Sequence, residues 1–135
     1  MSESLKASGF QTVTDLSARQ YHAVLMSAAF TVATMTNGNA EIPFGVLQEG
    51  VLGTTAKPKG VELITHGQTK GKLGGTVTPA GVFLSVGNDG TFIAAPYETS
   101  PATADLYICG RALEAGVSGD IIQIDFFPGV KASTE

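Results

Sequence analysis

The sequence has little charge, a single cysteine, no tryptophan and no long apolar run. Charged residues make up 15% of its 135 residues, well below the roughly 25% that is usual in globular proteins. Its eight lysines and arginines form no basic run, which speaks against nucleic-acid binding, because that function needs a concentrated cationic surface. One cysteine, Cys109, excludes an internal disulfide bond, and we expect it to be a small buried side chain in a strand.

The most apolar stretch of the sequence is too short to predict a membrane span. It covers residues 23–35, contains Ser and Thr, and begins too late for a secretion signal. We therefore interpret it as part of the fold. We expect no membrane partner and a reducing, cytoplasmic site of synthesis.

Groups that catalyse reactions or bind metals are scarce as well. The two histidines, His22 and His66, each lack a second ligand nearby in the sequence, whereas metal sites need clustered His, Cys or carboxylate groups. Ser118 lies in a glycine-containing turn without the elbow motif of serine hydrolases, and no phosphate-binding glycine motif occurs. We therefore expect no enzyme activity, no metal site and no cofactor.

What the sequence does have is glycine, 17 residues of it, between short runs that alternate apolar and polar residues. In residues 107–129, Ile122, Ile124 and Phe126 fall on one face of a strand, and polar residues fall on the other. Residues 87–90, GNDG, predict a hairpin because Asn and Gly accept the positive φ angles of tight turns. Short strands at this spacing predict an all-β fold, a small antiparallel β-sandwich or β-barrel.

A chain of this length is one domain. Residues 1–14 are small and polar, with isolated apolar side chains at Leu5 and Phe10, and we interpret them as a flexible N-terminal arm. The single β domain is then expected over residues 15–135.

Two internal segments need an interpretation of their own. Residues 15–36 fit either a helix with a capping box at Ser17 or two strands, and the β-branched content of 30–36 favours two strands. Residues 61–65 predict a strand, and 68–73 predict a second strand that pairs with it across a turn at the His-Gly pair between them.

Several segments resemble, in this order, the capsid cement (head decoration) proteins of tailed bacteriophages. The similarity spans residues 15–128 and is closest in GVLQ at 45–48, GRALE at 110–114 and GDII at 119–122. The resemblance implies a β-rich subunit, usually a homotrimer, that binds the major capsid protein on the outer surface of the capsid at threefold or quasi-threefold positions. It also implies a protein that is made in the host cytoplasm and localised in the virion.

Six residues are candidates for the capsid or trimer interface because we expect their side chains to be exposed. Phe127 should point away from Phe126 because neighbouring strand residues face opposite sides, although a sandwich that buries both is the alternative. Leu5 and Phe10 would anchor the arm. The remaining three candidates lie in a proline-containing loop and are Tyr97, Thr99 and Pro101.

Two other functions remain open at this point. One is a tail- or fibre-associated module that binds a glycan on a host surface. The other is a trimeric nucleotide hydrolase of the dUTPase type, because residues 119–126, GDIIQIDF, loosely resemble the acidic substrate loop of those enzymes. Their phosphate motif and their C-terminal phenylalanine motif are absent from this sequence.

Overall fold

A computed structural model of the chain describes residues 5–7, 9–36, 41–78, 81–95 and 107–131. Within these ranges all the regular elements are strands, so the predicted all-β class is confirmed. The strands, in chain order, are β1 (Leu5–Ala7), β2 (Gln11–Thr12), β3 (Ala23–Ala28), β4 (Thr31–Thr34), β5 (Gly45–Leu47), β6 (Lys59–Gly60), β7 (Leu63–Lys72), β8 (Phe83–Val86), β9 (Phe92–Ala94), β10 (Tyr107–Ala112) and β11 (Ile121–Lys131).

The strands form two sheets that share the long strand β7. The first sheet has the order β6-β2-β4-β3-β5-β7, and the second has the order β7-β11-β10-β8-β9. Residues 63–64 of β7 pair with β5, residues 67–72 pair with β11, and β1 also pairs with the first half of β7. The predicted turn between two strands is therefore wrong. Gly67 takes a φ of 111° inside one strand, which continues from the first sheet into the second.

The described sheet is open, because β6 lies at one end of its path and β9 at the other. It does not close into a barrel. Most strand pairs are antiparallel as predicted, although β2 and β4 pair in parallel at Gln11 and Thr31. Of the two architectures that the sequence left open, the sandwich fits, because buried side chains of both sheets meet in one core.

The larger core lies between the two sheets. Ala23 and Val46 of the first sheet contact it. The rings of Phe92 and Phe126, from the second sheet, meet in it edge to face with centroids 6.2 Å apart. Cys109 is buried here as predicted. Burial raises the pKa of its thiol, so the group is protonated at neutral pH.

A smaller core lies on the other face of the first sheet. Because strand side chains alternate between faces, Val24 and Leu47 point to this core while their neighbours Ala23 and Val46 point to the larger one. Loop residues cover it, with Leu16 fully buried. The half-buried side chains packed against the smaller core are Phe10, Phe44, Val51 and Val61.

The predicted hairpins are present. In β11 the predicted core face is buried and Gln123 is exposed, and β11 pairs with β10 in antiparallel register. Strands β8 and β9 are joined by the turn at residues 87–90, where the Gly87 N–H donates to the Thr91 carbonyl oxygen at 2.7 Å. Residues 15–36 contain the two strands β3 and β4, which confirms the favoured interpretation of that segment.

The segment interpreted as an arm contacts the first sheet where the structure describes it. Strand β1 pairs with β7, and strand β2 lies between β4 and β6. Thr12 is fully buried, and its hydroxyl donates to the Thr14 carbonyl oxygen at 3.1 Å. This strand pairing could not be predicted from the side-chain pattern, because the pairing uses backbone N–H and C=O groups that almost every residue has. The domain boundaries at residues 14 and 15 stay predictions.

Candidate functional site

Three phenylalanines from separate segments form a row that leads from the smaller core to the surface. Phe10 lies in the middle, with its ring centroid 5.5 Å from that of Phe30 and 5.0 Å from that of Phe44. Both ring pairs are tilted and lie within the distances at which aromatic rings attract each other. Because Phe10 and Phe44 pack against the smaller core, the row has a fixed base. We call Phe10, Phe30 and Phe44 the aromatic row.

The outer end of the aromatic row is exposed and strained. Phe30 has 63% of its surface exposed, and its φ is 51°, in the left-handed region. With Ala29 it connects β3 to β4, and Met26 of the same hairpin is 46% exposed. Left-handed backbone costs about 1–2 kcal/mol for a residue with a Cβ, and strain of this kind clusters at binding sites. These features make the aromatic row the candidate docking surface.

The outer face of the second sheet has a different character. The Arg111 guanidinium lies over the Phe83 ring at 4.9 Å, and Arg111 is paired in register with Asp125 of β11. Lys70 of β7 is also exposed, with its ammonium 5.9 Å from the Tyr21 ring centroid. Charged groups therefore cover the aromatic rings on this face, which leaves less apolar surface there than at Phe30.

A second exposed apolar group lies around the loop between β10 and β11. Its exposed fractions are 41% for Leu113, 54% for Val117 and 50% for Ile121. No aromatic ring belongs to this group, and its residues lie at normal backbone φ angles. This apolar group is therefore a weaker candidate docking surface than the aromatic row, and it serves as a control for it.

The structure brings one predicted interface residue into the candidate site. Phe10 belongs to the aromatic row, where it packs against its own chain, and sequence reasoning missed its partners Phe30 and Phe44. Phe127 is half-buried next to fully buried Phe126. Leu5 lies in β1 opposite His66. The three loop candidates, Tyr97, Thr99 and Pro101, lie outside the described residues. The interface roles of all six stay predictions.

Clustered metal ligands are lacking in the part of the chain that the structure describes. No three His, Cys, Asp or Glu side chains come close enough there to hold a metal ion. Among the same residues there is no helix that is long and apolar enough to cross a membrane.

Comparisons with known proteins find a solved structure with a similar fold. No protein-family model matches the chain, and no curated protein sequence matches it. Among solved structures, the chain is similar to the N base of the head fibre gp8.5 in bacteriophage phi29, with a TM-score of 0.63 and 15% sequence identity. The similarity covers 96% of this chain and 100% of that chain. At this identity, the likeness establishes a shared fold along nearly the whole chain.

Proposed function

We propose that this protein is a structural protein of a bacteriophage head, which binds the outer surface of the assembled capsid and stabilises the shell. The observation that carries the proposal is the fold shared with a phage head fibre base over almost the full length of both chains. The low charge of the sequence supports it, because the buried centres of protein interfaces are depleted in charged residues.

The proposed partner is the major capsid protein, bound by a homotrimer at threefold or quasi-threefold positions. A trimer matches such a position by symmetry, so three modest contacts act together as one strong contact. The complete binding site exists only where capsid subunits meet, so binding favours the assembled lattice. At a free concentration about 100 times the Kd, binding stabilises the bound state by about 2.7 kcal/mol per site.

In this proposal the aromatic row supplies the anchor. Interfaces take most of their binding free energy from a few aromatic or arginine side chains that fill pockets on the partner. Phe30 has the required exposed ring, and its contact with Phe10 holds that ring in place before binding. Less rotamer entropy is then lost on docking.

Sedimentation with undecorated, expanded capsids tests the function. The wild-type protein should sediment with the capsids and raise their resistance to heat and osmotic shock. Absence of both effects would reject the proposed function. Light scattering on the free protein tests the trimer separately.

A pair of variants tests the anchor. Phe30→Asn removes the ring but keeps a residue that tolerates left-handed backbone, and it should weaken capsid binding roughly 30-fold. Val117→Asn removes a similarly exposed apolar side chain from the β10–β11 loop and should leave binding unchanged. Equal binding by the two variants would reject the aromatic row while leaving the head-protein proposal intact.

A further inference from the structure

An open cavity, lined about equally by polar and apolar surface, lies away from the aromatic row, where the β8–β9 turn, the end of β7 and the β10–β11 loop meet. Its volume is about 630 Å³, enough for a small molecule, and its wide opening would leave part of a bound ligand in contact with solvent. The residues that give it its chemistry are His22, Lys72, Leu73, Asp89, Ile93 and Ser118.

His22 lines the cavity and has one ring nitrogen that can accept a hydrogen bond. Its side chain is only 5% exposed, and Nδ1 lies 3.0 Å from the Gln20 carbonyl oxygen. A carbonyl oxygen only accepts, so Nδ1 carries the proton. Burial lowers the pKa of His22, so the ring is neutral at pH 7. The other ring nitrogen, Nε2, is therefore an acceptor.

The backbone that carries His22 is held in a strained conformation. Tyr21, the residue before it, has a φ of 62°. Its N–H donates to the Leu47 carbonyl oxygen at 2.7 Å, and its carbonyl oxygen accepts from the Lys72 N–H at 3.0 Å. Strained residues persist where surrounding contacts fix them, and they occur often at ligand sites. The second bond fixes the backbone just before His22 relative to that of Lys72.

The charges that line the cavity balance. Lys72 contributes an ammonium group and Asp89 a carboxylate. Burial opposes ionisation of Asp89, but hydrogen bonds from Thr91 outweigh it and lower its pKa. Both bonds from Thr91 use Oδ1, so Oδ2 is the other acceptor oxygen of this carboxylate. Donors and acceptors without net charge fit a neutral ligand that carries both kinds of group.

We propose that this cavity binds a neutral saccharide of one or two rings. The apolar side chains of Leu73 and Ile93 would contact the C–H face of the sugar. Its hydroxyl groups would donate to His22 and Asp89, and they would accept from Lys72 and Ser118. A phosphate would meet the Asp89 carboxylate, and a metal cation would meet the Lys72 ammonium, so both fit the lining less well than a sugar.

Nuclear magnetic resonance titration tests the site with glucose, galactose, mannose, N-acetylglucosamine and lactose as separate probes. Gly74, Gly87 and Gly119 line the cavity, so the resonances of their backbone amides report on it. At least one sugar should shift these amides in a saturable way. If none does at tens of millimolar, or if inorganic phosphate alone does, the proposal is overturned.

Two lysines on one strand provide a matched pair of variants. Lys72→Met removes the ammonium from the cavity and should weaken saccharide binding roughly tenfold. Lys70→Met removes the same charge from β7 but not from the lining, and its affinity should equal that of wild type. Ser118→Phe, at an exposed loop position, should block the cavity without disturbing a core. Equal affinity of all three variants would overturn the assignment, whatever the outcome of the capsid experiments.

Discussion

The β8–β9 and β3–β4 hairpin turns each contain a residue with positive φ, and they use different residue types for it. The β8–β9 turn uses Gly90, with a φ of 90°, and the β3–β4 turn uses Phe30, with a φ of 51°. The Gly90 carbonyl oxygen accepts from the Ala23 N–H at 2.8 Å. A Cβ on Gly90 would lie 2.5 Å from the Ala23 carbonyl oxygen, so only glycine fits there.

The difference separates a turn that serves the fold from a turn that carries an exposed side chain. Gly90 relieves backbone strain and allows the turn to dock against β3. Phe30 takes on about 1–2 kcal/mol of strain while most of its ring stays exposed, so its burial offsets little of that cost. We infer that Phe30 serves an interaction outside the chain, in agreement with the proposed docking surface.

The largest expected effect comes from adding a methyl group to the glycine turn. Gly90→Ala combines left-handed strain with a backbone clash and should lower the free energy of unfolding by about 3 kcal/mol, as measured by urea denaturation. Gly87→Ala is the control, because its Cβ would have only ordinary contacts, the nearest at 3.6 Å. That variant should stay within about 1 kcal/mol of wild type. Equal losses would show that the turn has no special need for glycine at residue 90.

The next effect concerns the carboxylate in the same turn. Asp89 Oδ1 accepts from the Thr91 N–H at 3.0 Å and from its hydroxyl at 2.5 Å. Asp89→Ala should therefore cost about 1–2 kcal/mol in thermal or urea unfolding. Asp15 makes the same pair of bonds to Ser17 on the surface, so Asp15→Ala should cost less because water replaces them. A larger loss from the Asp15 variant would contradict this ranking.

At residue 30, in the strained turn, we expect glycine to give a more stable protein than alanine, which is the reverse of the usual order. Phe30→Ala and Phe30→Gly both lose the ring contact with Phe10, but only glycine also relieves the left-handed strain. Phe30→Gly should therefore be more stable than Phe30→Ala by about 1 kcal/mol in urea denaturation. If alanine gives the more stable protein, as it does in ordinary backbone, Phe30 is not strained.

The smallest effect is a pH dependence near the glycine turn. Burial lowers the pKa of His22 from its usual 6.5, and the nearby Arg19 and Lys72 lower it further, while the hydrogen bond to the Gln20 carbonyl oxygen and the charge of Asp89 oppose the shift. The unfolded chain thus binds the proton more tightly, and stability that is complete above pH 6.5 falls as the pH drops towards the folded-state pKa. Unfolding measured from pH 7.5 to pH 5 should show this decline, and His22→Gln should flatten it. An unchanged slope in that variant would assign the decline to other groups.

Local signals in the sequence were enough to identify the two β-hairpins. The GNDG turn needs only residues that accept positive φ, and the alternation of Ile122, Ile124 and Phe126 is complete within one strand. Strand pairing over long distances was harder to foresee. The His66-Gly67 pair is typical of a turn. It lies within β7 because β1 pairs with the backbone up to His66 and β11 pairs with the backbone from Gly67 onwards.

The candidate sites depended even more on tertiary structure. Phe10 was identified by its isolation in a polar segment, but nothing local connects it with Phe30 or Phe44. The left-handed backbone of Phe30 has no signature in residue type, because glycine or asparagine is the usual choice there. The cavity combines residues from separate segments, and its balanced charges become visible only when these segments meet.

Because β7 belongs to both sheets, it affects how the molecule unfolds. Strands from the beginning, the middle and the end of the described chain, β1, β5 and β11, all depend on this one strand. We therefore expect the two sheets to unfold together, with the β7 amides exchanging with solvent only through global opening. We expect a protein built in this way to unfold in one cooperative step, without a stable state in which only one sheet has opened.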